Sequence, residues 1–267
     1  MNRYIKSSQF QSSNKSWQSA AESEIIILLD KAKELFNESQ SYELEMRIGS
    51  FENGTFISGI DAIWWGKFKK YFTKGTKLLN IKPINPNPDE IIEYVYNSDI
   101  KERIINGTEI HTIYKKLYQG NDFKLNNSYY DLRFRLNLEC PSKITIHDQL
   151  RFIRLKERYS FIDNDIWKWD FTIVWEGTNI NQACQASPKY EIEIECQLKN
   201  NTSSQNIAKE YLHRCNILLR PPPGVYPSTN NFNTDEYNPS FPDLNFSKKR
   251  PLYSSEEHKI YKRQNNG

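Results

Sequence analysis

The sequence predicts a mainly β (α+β) fold: an antiparallel barrel closed around a charged lumen and flanked by a few helices. Two patterns carry the prediction. Four segments alternate charged and apolar residues with the period of two that a β-strand imposes, and on several the charged face is largely of one sign. Three further segments place apolar residues at helical spacing, which suits them to cover the outside of such a barrel.

The first strand is Tyr42-Glu43-Leu44-Glu45-Met46-Arg47-Ile48-Gly49, with Glu43, Glu45 and Arg47 on one face and Leu44, Met46 and Ile48 on the other. From Asp131 to Glu139, the residues Asp131, Arg133, Arg135, Asn137 and Glu139 share a face backed by four apolar side chains. Phe152 to Tyr159 is basic, with Arg154, Lys156 and Arg158 together. Tyr190 to Cys196 is acidic, with Glu191, Glu193 and Glu195 in a row. Taken singly, each reads as a half-buried strand with its charged side in water. Taken together they resist that reading, because neighbouring like charges on one face repel. Acidic strands placed across a closed lumen from basic ones relieve the repulsion and turn the apolar faces outward. Such a lumen is expected to balance its charge only when loaded, with a divalent cation on the carboxylates and a multiply charged oxyanion on the Arg/Lys set.

That combination points to a polyphosphate. Glutamates with no His or Cys beside them suit Mg²⁺ or Mn²⁺ rather than zinc. Arginine forks and lysine point charges suit phosphate oxygens. Other phosphate-handling devices fail by inspection: there is no GxxxxGK[ST] loop, no GxGxxG and no Cys-x5-Arg loop. The histidines His111, His147, His213 and His258 come without a nucleophile elbow, which argues against a Ser/His/Asp hydrolase.

The elements follow in order. Residues 1–22 are rich in Ser, Gln and Asn and read as a frayed arm ahead of the domain, which spans 23–220. They lack the apolar stretch of a signal peptide, so an intracellular location is expected rather than secretion. No run approaches the roughly 18 apolar residues of a membrane helix, so no membrane partner is expected. Residues 23–38 form the first predicted helix, with Ile26, Leu29, Ala32 and Leu35 on one side. Residues 41–198 read as strands with one helical interlude at 60–73, and 205–219 form a last helix. Asn106-Gly107-Thr108 marks a hairpin from which Lys115 or Lys116 reaches toward the lumen. The segment 221–267 holds seven of the 12 prolines and reads as a disordered or docking tail. Lys+Arg 36 against Asp+Glu 33 leaves a net charge of only +3, so any electrostatic signal lies in these local clusters and not in a bulk basic coat. The four cysteines contain no CxxC pair and read as free thiols.

In this order the pieces resemble a family. Glu43-x-Glu45-x-Arg47, then Arg154-x-Lys156-x-Arg158-Tyr159-Ser160-Phe161, then Trp169-Asp170-Phe171-Thr172, then Glu191-Ile192-Glu193-Ile194-Glu195, resemble the metal-dependent triphosphate tunnel enzymes. Within them the likeness is to the RNA 5′-triphosphatases of fungal and large-DNA-virus mRNA capping. It covers roughly residues 41–198, and it is the ordered set that is specific, since an isolated ExE is worth little.

The resemblance implies an eight-stranded antiparallel tunnel that removes the γ-phosphate of a triphosphate-ended RNA, with free NTP as a further substrate when manganese is present. It assigns Glu43, Glu45, Glu193 and Glu195 to Mg²⁺ or Mn²⁺, with Arg47, Glu139 and Glu191 in support. Arg154, Lys156 and Arg158 hold phosphates, and Asp170 acts on the next strand. Arg133 and Arg135 are candidates for a further phosphate-binding arginine. The resemblance also implies a guanylyltransferase partner, and a cytoplasmic location, or a viral factory or virion for a viral chain. Two alternatives stand beside it. One is another enzyme on the same barrel, such as an inorganic tripolyphosphatase. The other is a non-catalytic barrel that binds RNA ends or serves as a capping subunit.

Overall fold

The structure is a computed structural model that describes residues 7–35, 41–74, 81–126, 128–196 and 203–220. Helix α1 (Ser7–Leu35) leads into strands β1 (Ser41–Glu52) and β2 (Thr55–Ser58), then α2 (Ala62–Thr73). Strands β3 (Ile81–Pro83), β4 (Asp89–Tyr96), β5 (Ile100–Ile105), β6 (Glu109–Phe123), β7 (Asp131–Pro141), β8 (Leu150–Asp163) and β9 (Trp167–Gly177) follow. The short α3 (Ile180–Gln185), β10 (Lys189–Cys196) and α4 (Ser204–Leu218) complete the described chain.

Eight strands close a barrel in the order β1-β10-β9-β8-β4-β5-β6-β7 and back to β1, every pairing antiparallel. Closure leaves no barrel strand with an unpaired edge. Two short strands lie outside the ring, β2 extending β1 and β3 extending β8. The β5–β6 hairpin turns through the three residues Asn106-Gly107-Thr108, with Asn106 (φ 51) and Gly107 (φ 74) both left-handed and the Thr108 amide donating to the Ile105 carbonyl oxygen at 3.1 Å.

The apolar faces do turn outward. Leu44, Met46, Phe134, Leu136, Trp169, Phe171 and Ile194 are fully buried beneath the helices. Helix α2 packs Phe72 against Phe161, Trp169 and Phe171, and its Trp65 donates from Nε1 to the carbonyl oxygen of Glu191 at 3.1 Å. From α4, the Tyr211 hydroxyl sits 2.6 Å from the Ile194 carbonyl oxygen and 3.1 Å from that of Leu44, straddling the β10–β1 seam. Trp167 and Trp169 of β9 are wall packing of this kind.

Two elements differ from expectation. Helix α1 begins at Ser7, so the stretch read as a frayed arm is helical from there on. Its apolar content is low, but Ala21 is fully buried, Trp17 packs against the core, and Gln18 donates to Asn216 of α4 at 3.1 Å. Tertiary docking thus extends a helix that local pattern alone does not require. Helix α3 is a second helical piece within 41–198, started by Asn179, whose side chain accepts from the amide of Gln182. The predicted tail, 221–267, lies outside the described residues.

At one end of the barrel Arg214 of α4 is buried with Asp163 of β8, Nη2 to Oδ2 at 2.6 Å, and its guanidinium stacks on Trp167 at 4.3 Å. Removing one partner of such a pair strands the other charge in a dry site, at about 3–5 kcal/mol. Asp163→Ala is therefore expected to lower unfolding stability by about 3 kcal/mol or more. A urea titration showing less than about 1 kcal/mol would mean the pair is solvated and structurally idle.

Candidate active site

The lumen is built by the inward positions of the eight strands. At its centre lies a cavity of about 50 Å³ lined by fifteen residues, all of them charged: seven carboxylates and eight cations. Strands β1 and β10 contribute most of the acid. Their register sets Glu45 directly opposite Glu195 and Arg47 opposite Glu193, so the two glutamate-rich segments share one face of one seam. Across the barrel, β8 presents Arg154, Lys156 and Arg158, and β5 adds Lys101 and Arg103.

The acids and bases are interlocked. Arg47 bridges Glu193 at 2.8 Å and Glu45 at 3.3 Å. Lys115 of β6 reaches Glu43 at 2.7 Å, Glu45 at 3.2 Å and Glu139 at 2.8 Å. Arg158 lies 3.2 Å from Asp170, and Lys168 lies 3.0 Å from Asp170 and 3.5 Å from Glu195. Arg154 pairs with Glu176 at 2.7 Å. The expectation that this lumen balances its charge only when loaded is thus corrected. Its strands interleave enough of each sign for the side chains to neutralise one another across neighbouring strands.

The pairing is uneven, and protonation shows where. Burial works against ionisation of Glu45, but Arg47 and Lys115 overcome it and hold its carboxyl below the usual range. Burial is likewise overcome at Glu193 by Arg47 and Arg158, and at Asp170 by Arg158 and Lys168. Glu43 goes the other way. Burial pushes it up to about 8 despite Lys115, with Glu195 and Glu139 adding to the rise. Burial also raises Glu195, against Lys168 and with Asp170. On the basic side, burial takes Lys156 down to about 7 against the pull of Glu93, and Arg158 and Arg154 push it the same way.

Glu43, Glu45, Glu193, Glu195, Asp170, Arg154, Lys156, Arg158, Arg47, Glu139 and Glu191, all singled out from sequence, line this one cavity. Arg133 and Arg135, the candidates for a further phosphate-binding arginine, are not part of its lining. Both are on inward positions, but both are drawn to Asp122 of β6, with Arg133 Nε and Arg135 Nη2 each 2.8 Å from its Oδ1. Sequence reasoning left Lys101, Arg103, Lys168 and Glu93 unassigned. Glu93 is fully buried and accepts from Lys156 at 2.7 Å and from Arg103 at 2.8 Å, so it fixes two of the cations. It was hidden because β4, DEIIEYVY, does not alternate cleanly.

Three buried polar atoms on inward positions have no hydrogen-bond partner among the described residues: Arg158 Nε, Thr172 Oγ1 and Asn137 Nδ2. Each is or carries a donor, and leaving a donor buried and unpaired costs about 1–3 kcal/mol. Donors of this kind beside the β8 cations suit an acceptor-rich ligand. The carboxylates are hard oxygen donors of the type that Mg²⁺ or Mn²⁺ takes. As the side chains stand, among the described residues no three acidic, His or Cys groups converge to hold a metal ion, because Lys115 and Arg47 lie between them.

No protein-family model matches this chain, and no curated protein sequence is detectably similar to it. Its fold is nevertheless a known one. The S. pombe RNA triphosphatase Pct1 superposes with a TM-score of 0.53 at 16% identity, over 67% of this chain and 85% of that one. The chain has the fold of the triphosphate tunnel RNA triphosphatases. Pct1 in complex with the Spt5 CTD gives a TM-score of 0.59 at 14% identity, over 76% and 92% of the two chains. The triphosphatase of the Mimivirus capping enzyme gives 0.52 at 18% identity, over 74% of this chain and 96% of that one. At these identities the likeness is one of architecture. Function has to be argued from the tunnel itself.

Glu43 supplies a test of the electrostatics. Between its ordinary 4.5 and about 8, the folded protein holds a proton on Glu43 that the unfolded chain has released. Its contribution to stability is therefore complete below pH 4.5 and is lost as pH rises to about 8. Glu43→Gln keeps the neutral form throughout. In urea titrations without divalent cation, it is expected to match wild type near pH 4.5 and to exceed it increasingly up to pH 9. A difference that does not change with pH would refute the burial of this carboxylate.

Proposed function

We propose that this protein is a metal-dependent RNA 5′-triphosphatase, removing the γ-phosphate from triphosphate-ended RNA by direct attack of water. The observation that carries the reading is the composition of the cavity: every lining residue is charged, with an acidic β1–β10 seam facing a basic β8–β5 wall. A metal-bound triphosphate is itself a cation joined to a chain of anions. Each half of the lumen finds its counterpart in it, the carboxylates of the seam in the metal and the cations of the wall in the phosphates. The fold shared with Pct1 and the Mimivirus enzyme supports the same reading.

Glu43, Glu45, Glu193 and Glu195 would hold the cation. Mg²⁺ or Mn²⁺ bound there would offset the negative charge that builds on the γ-phosphate oxygens. The rest is done by the chain. Arg158, Lys156 and Arg154 stand at successive inward positions of one strand, and Arg103 reaches in from β5, so cations are set along the length of a triphosphate. Burial strengthens each contact, because water screens poorly in such a space. Glu93 holds Lys156 and Arg103 in place and keeps a counter-charge beneath them. The orphan donors Arg158 Nε and Thr172 Oγ1 would gain phosphate oxygens as partners. Glu139 accepts from Lys115 in the ground state and would orient a water on the acidic side. The product, a diphosphate end, is the form that a guanylyltransferase consumes, so we place such an enzyme as the next step.

The activity is read by phosphate release from γ-labelled RNA with Mg²⁺ or Mn²⁺, with ATP and tripolyphosphate as competitors. Glu45→Ala and Glu195→Ala should each reduce turnover on the order of 100-fold or more, the usual cost of deleting one preorganised electrostatic group. Circular dichroism should show both folded. Near-wild-type release by either variant would sink the assignment of the seam, and preference for tripolyphosphate over RNA would move the protein to a tripolyphosphatase.

A further inference from the structure

The two ends of the tunnel are not alike in charge. At the rim where β1 and β6 begin and β7 and β10 end, the inward positions carry Glu43, Glu139, Glu195 and Glu109, with Lys115 and Lys168 among them, so carboxylates outnumber lysines in this set. The opposite rim lies where β6 connects to β7. There the inward positions of β7 carry Asp131, Arg133 and Arg135, with Asp122 facing the two arginines from β6. Asp131 gives both its oxygens to backbone amides, so the two guanidiniums share the Asp122 carboxylate. Arg133 is bidentate, Nε and Nη2 each 2.8 Å from one Asp122 oxygen, whereas Arg135 gives it only Nη2, also at 2.8 Å.

This rim is constructed rather than incidental. Arg135 lies across the backbone of Gly120, where a Cβ would fall 2.6 Å from Arg135 Cδ and 2.4 Å from the Phe134 carbonyl oxygen. A bulge in β6 between Leu117 and Gln119 brings that glycine opposite Arg135. The Arg133 guanidinium is stacked on Phe56 of β2, 4.3 Å from the ring centroid, which fixes its plane. The neighbouring Asp131 clasps the rim, accepting from the amides of Leu125 at 2.7 Å and Phe51 at 3.0 Å.

Resting on the reading of the tunnel as an RNA triphosphatase, we propose that Arg133 and Arg135 form a collar for the RNA chain. The RNA then leaves the tunnel through this rim, and the collar holds the first phosphodiesters behind the triphosphate. The β1–β7 register sets Arg135 opposite Glu45 and Arg133 opposite Arg47, both in the cavity lining, so the collar begins where the cavity ends and meets the chain directly behind the triphosphate. The acidic rim repels a phosphodiester chain, so the two ends together give the substrate one direction. Tripolyphosphate has no chain to present and gains nothing from the collar.

Binding is the readout, by fluorescence anisotropy of a short 5′-triphosphate RNA labelled at its 3′ end and by competition with unlabelled tripolyphosphate. Arg135→Gln is expected to weaken RNA about 10-fold and to lower the slope of log affinity against log salt by about 0.7 for each phosphate that the collar no longer neutralises. It leaves tripolyphosphate affinity unchanged, which also certifies the fold of the variant. Asp122→Asn frees both arginines and should tighten RNA without altering tripolyphosphate. RNA affinity unchanged in Arg135→Gln, or both ligands weakened alike, overturns the collar. A wild type that binds RNA in this Arg135-dependent way but releases no phosphate supports the collar and overturns the hydrolase reading.

Discussion

Charge balance inside a closed wall is the constraint from which the rest of this structure follows. A barrel interior filled with fifteen charged side chains holds together only where each sign meets its opposite. Removing such charges from water costs several kcal/mol apiece unless good geometry returns it. Here the register provides that geometry. Arg47 sits opposite Glu193 on adjoining strands, and Lys115 spans three carboxylates from the next wall. The fit is worst where carboxylates crowd, as at Glu195, which burial, Asp170 and Glu139 raise. Glu43, close by, is the carboxylate pushed up to about 8. The strain of the lumen is thus concentrated on the acidic seam, where a bound cation would relieve it most.

The outer layer exists to make that interior possible. With polar side chains turned inward, the hydrophobic faces of the strands have to be buried from outside, and the helices supply the cover. Tyr211 and Trp65 do more than fill space. Both place a polar atom on a backbone carbonyl of β1 or β10, so the strands that carry the acidic side chains are anchored from behind. A rigid seam keeps carboxylates close together that would otherwise drift apart.

Much of this was legible in the sequence, because the period of a strand is two and charge marks which face is inward. Glu43, Glu45, Arg154, Lys156, Arg158, Asp170, Glu193 and Glu195 could be grouped that way, and the structure brings them to one cavity. What alternation cannot report is the partner that an inward side chain finds. Arg133 and Arg135 have the correct parity and lie opposite Arg47 and Glu45 on β1, yet both guanidiniums turn to Asp122 of β6. Nor does it report residues on strands whose pattern is broken. Glu93 stands between Ile92 and Tyr94 on a strand without clean alternation, and only the pairing with Arg103 and Arg154 reveals it as an inward residue. The early start of α1 was illegible for a different reason, since docking of Trp17 and Ala21 against the fold supplies what local composition lacks.

The self-paired lumen also explains how a dense ionic core can admit a charged ligand. A rigid set of unpaired carboxylates and cations would be too costly to fold. A set of mutual pairs folds, and it can exchange partners: a carboxylate that gives up a lysine for a divalent cation, and the lysine that then turns to a phosphate, each trade one charged neighbour for another. Every charge stays paired while the partners change. Lys115, shared among three carboxylates, is the side chain for which that exchange is most balanced, because no single one of its ion pairs is indispensable. Arg214 and Asp163, by contrast, lie outside the tunnel, where Arg214 is further fixed by the Glu210 carbonyl oxygen at 3.0 Å and by the Trp167 ring, which suits a pair that holds the fold rather than one that yields to substrate.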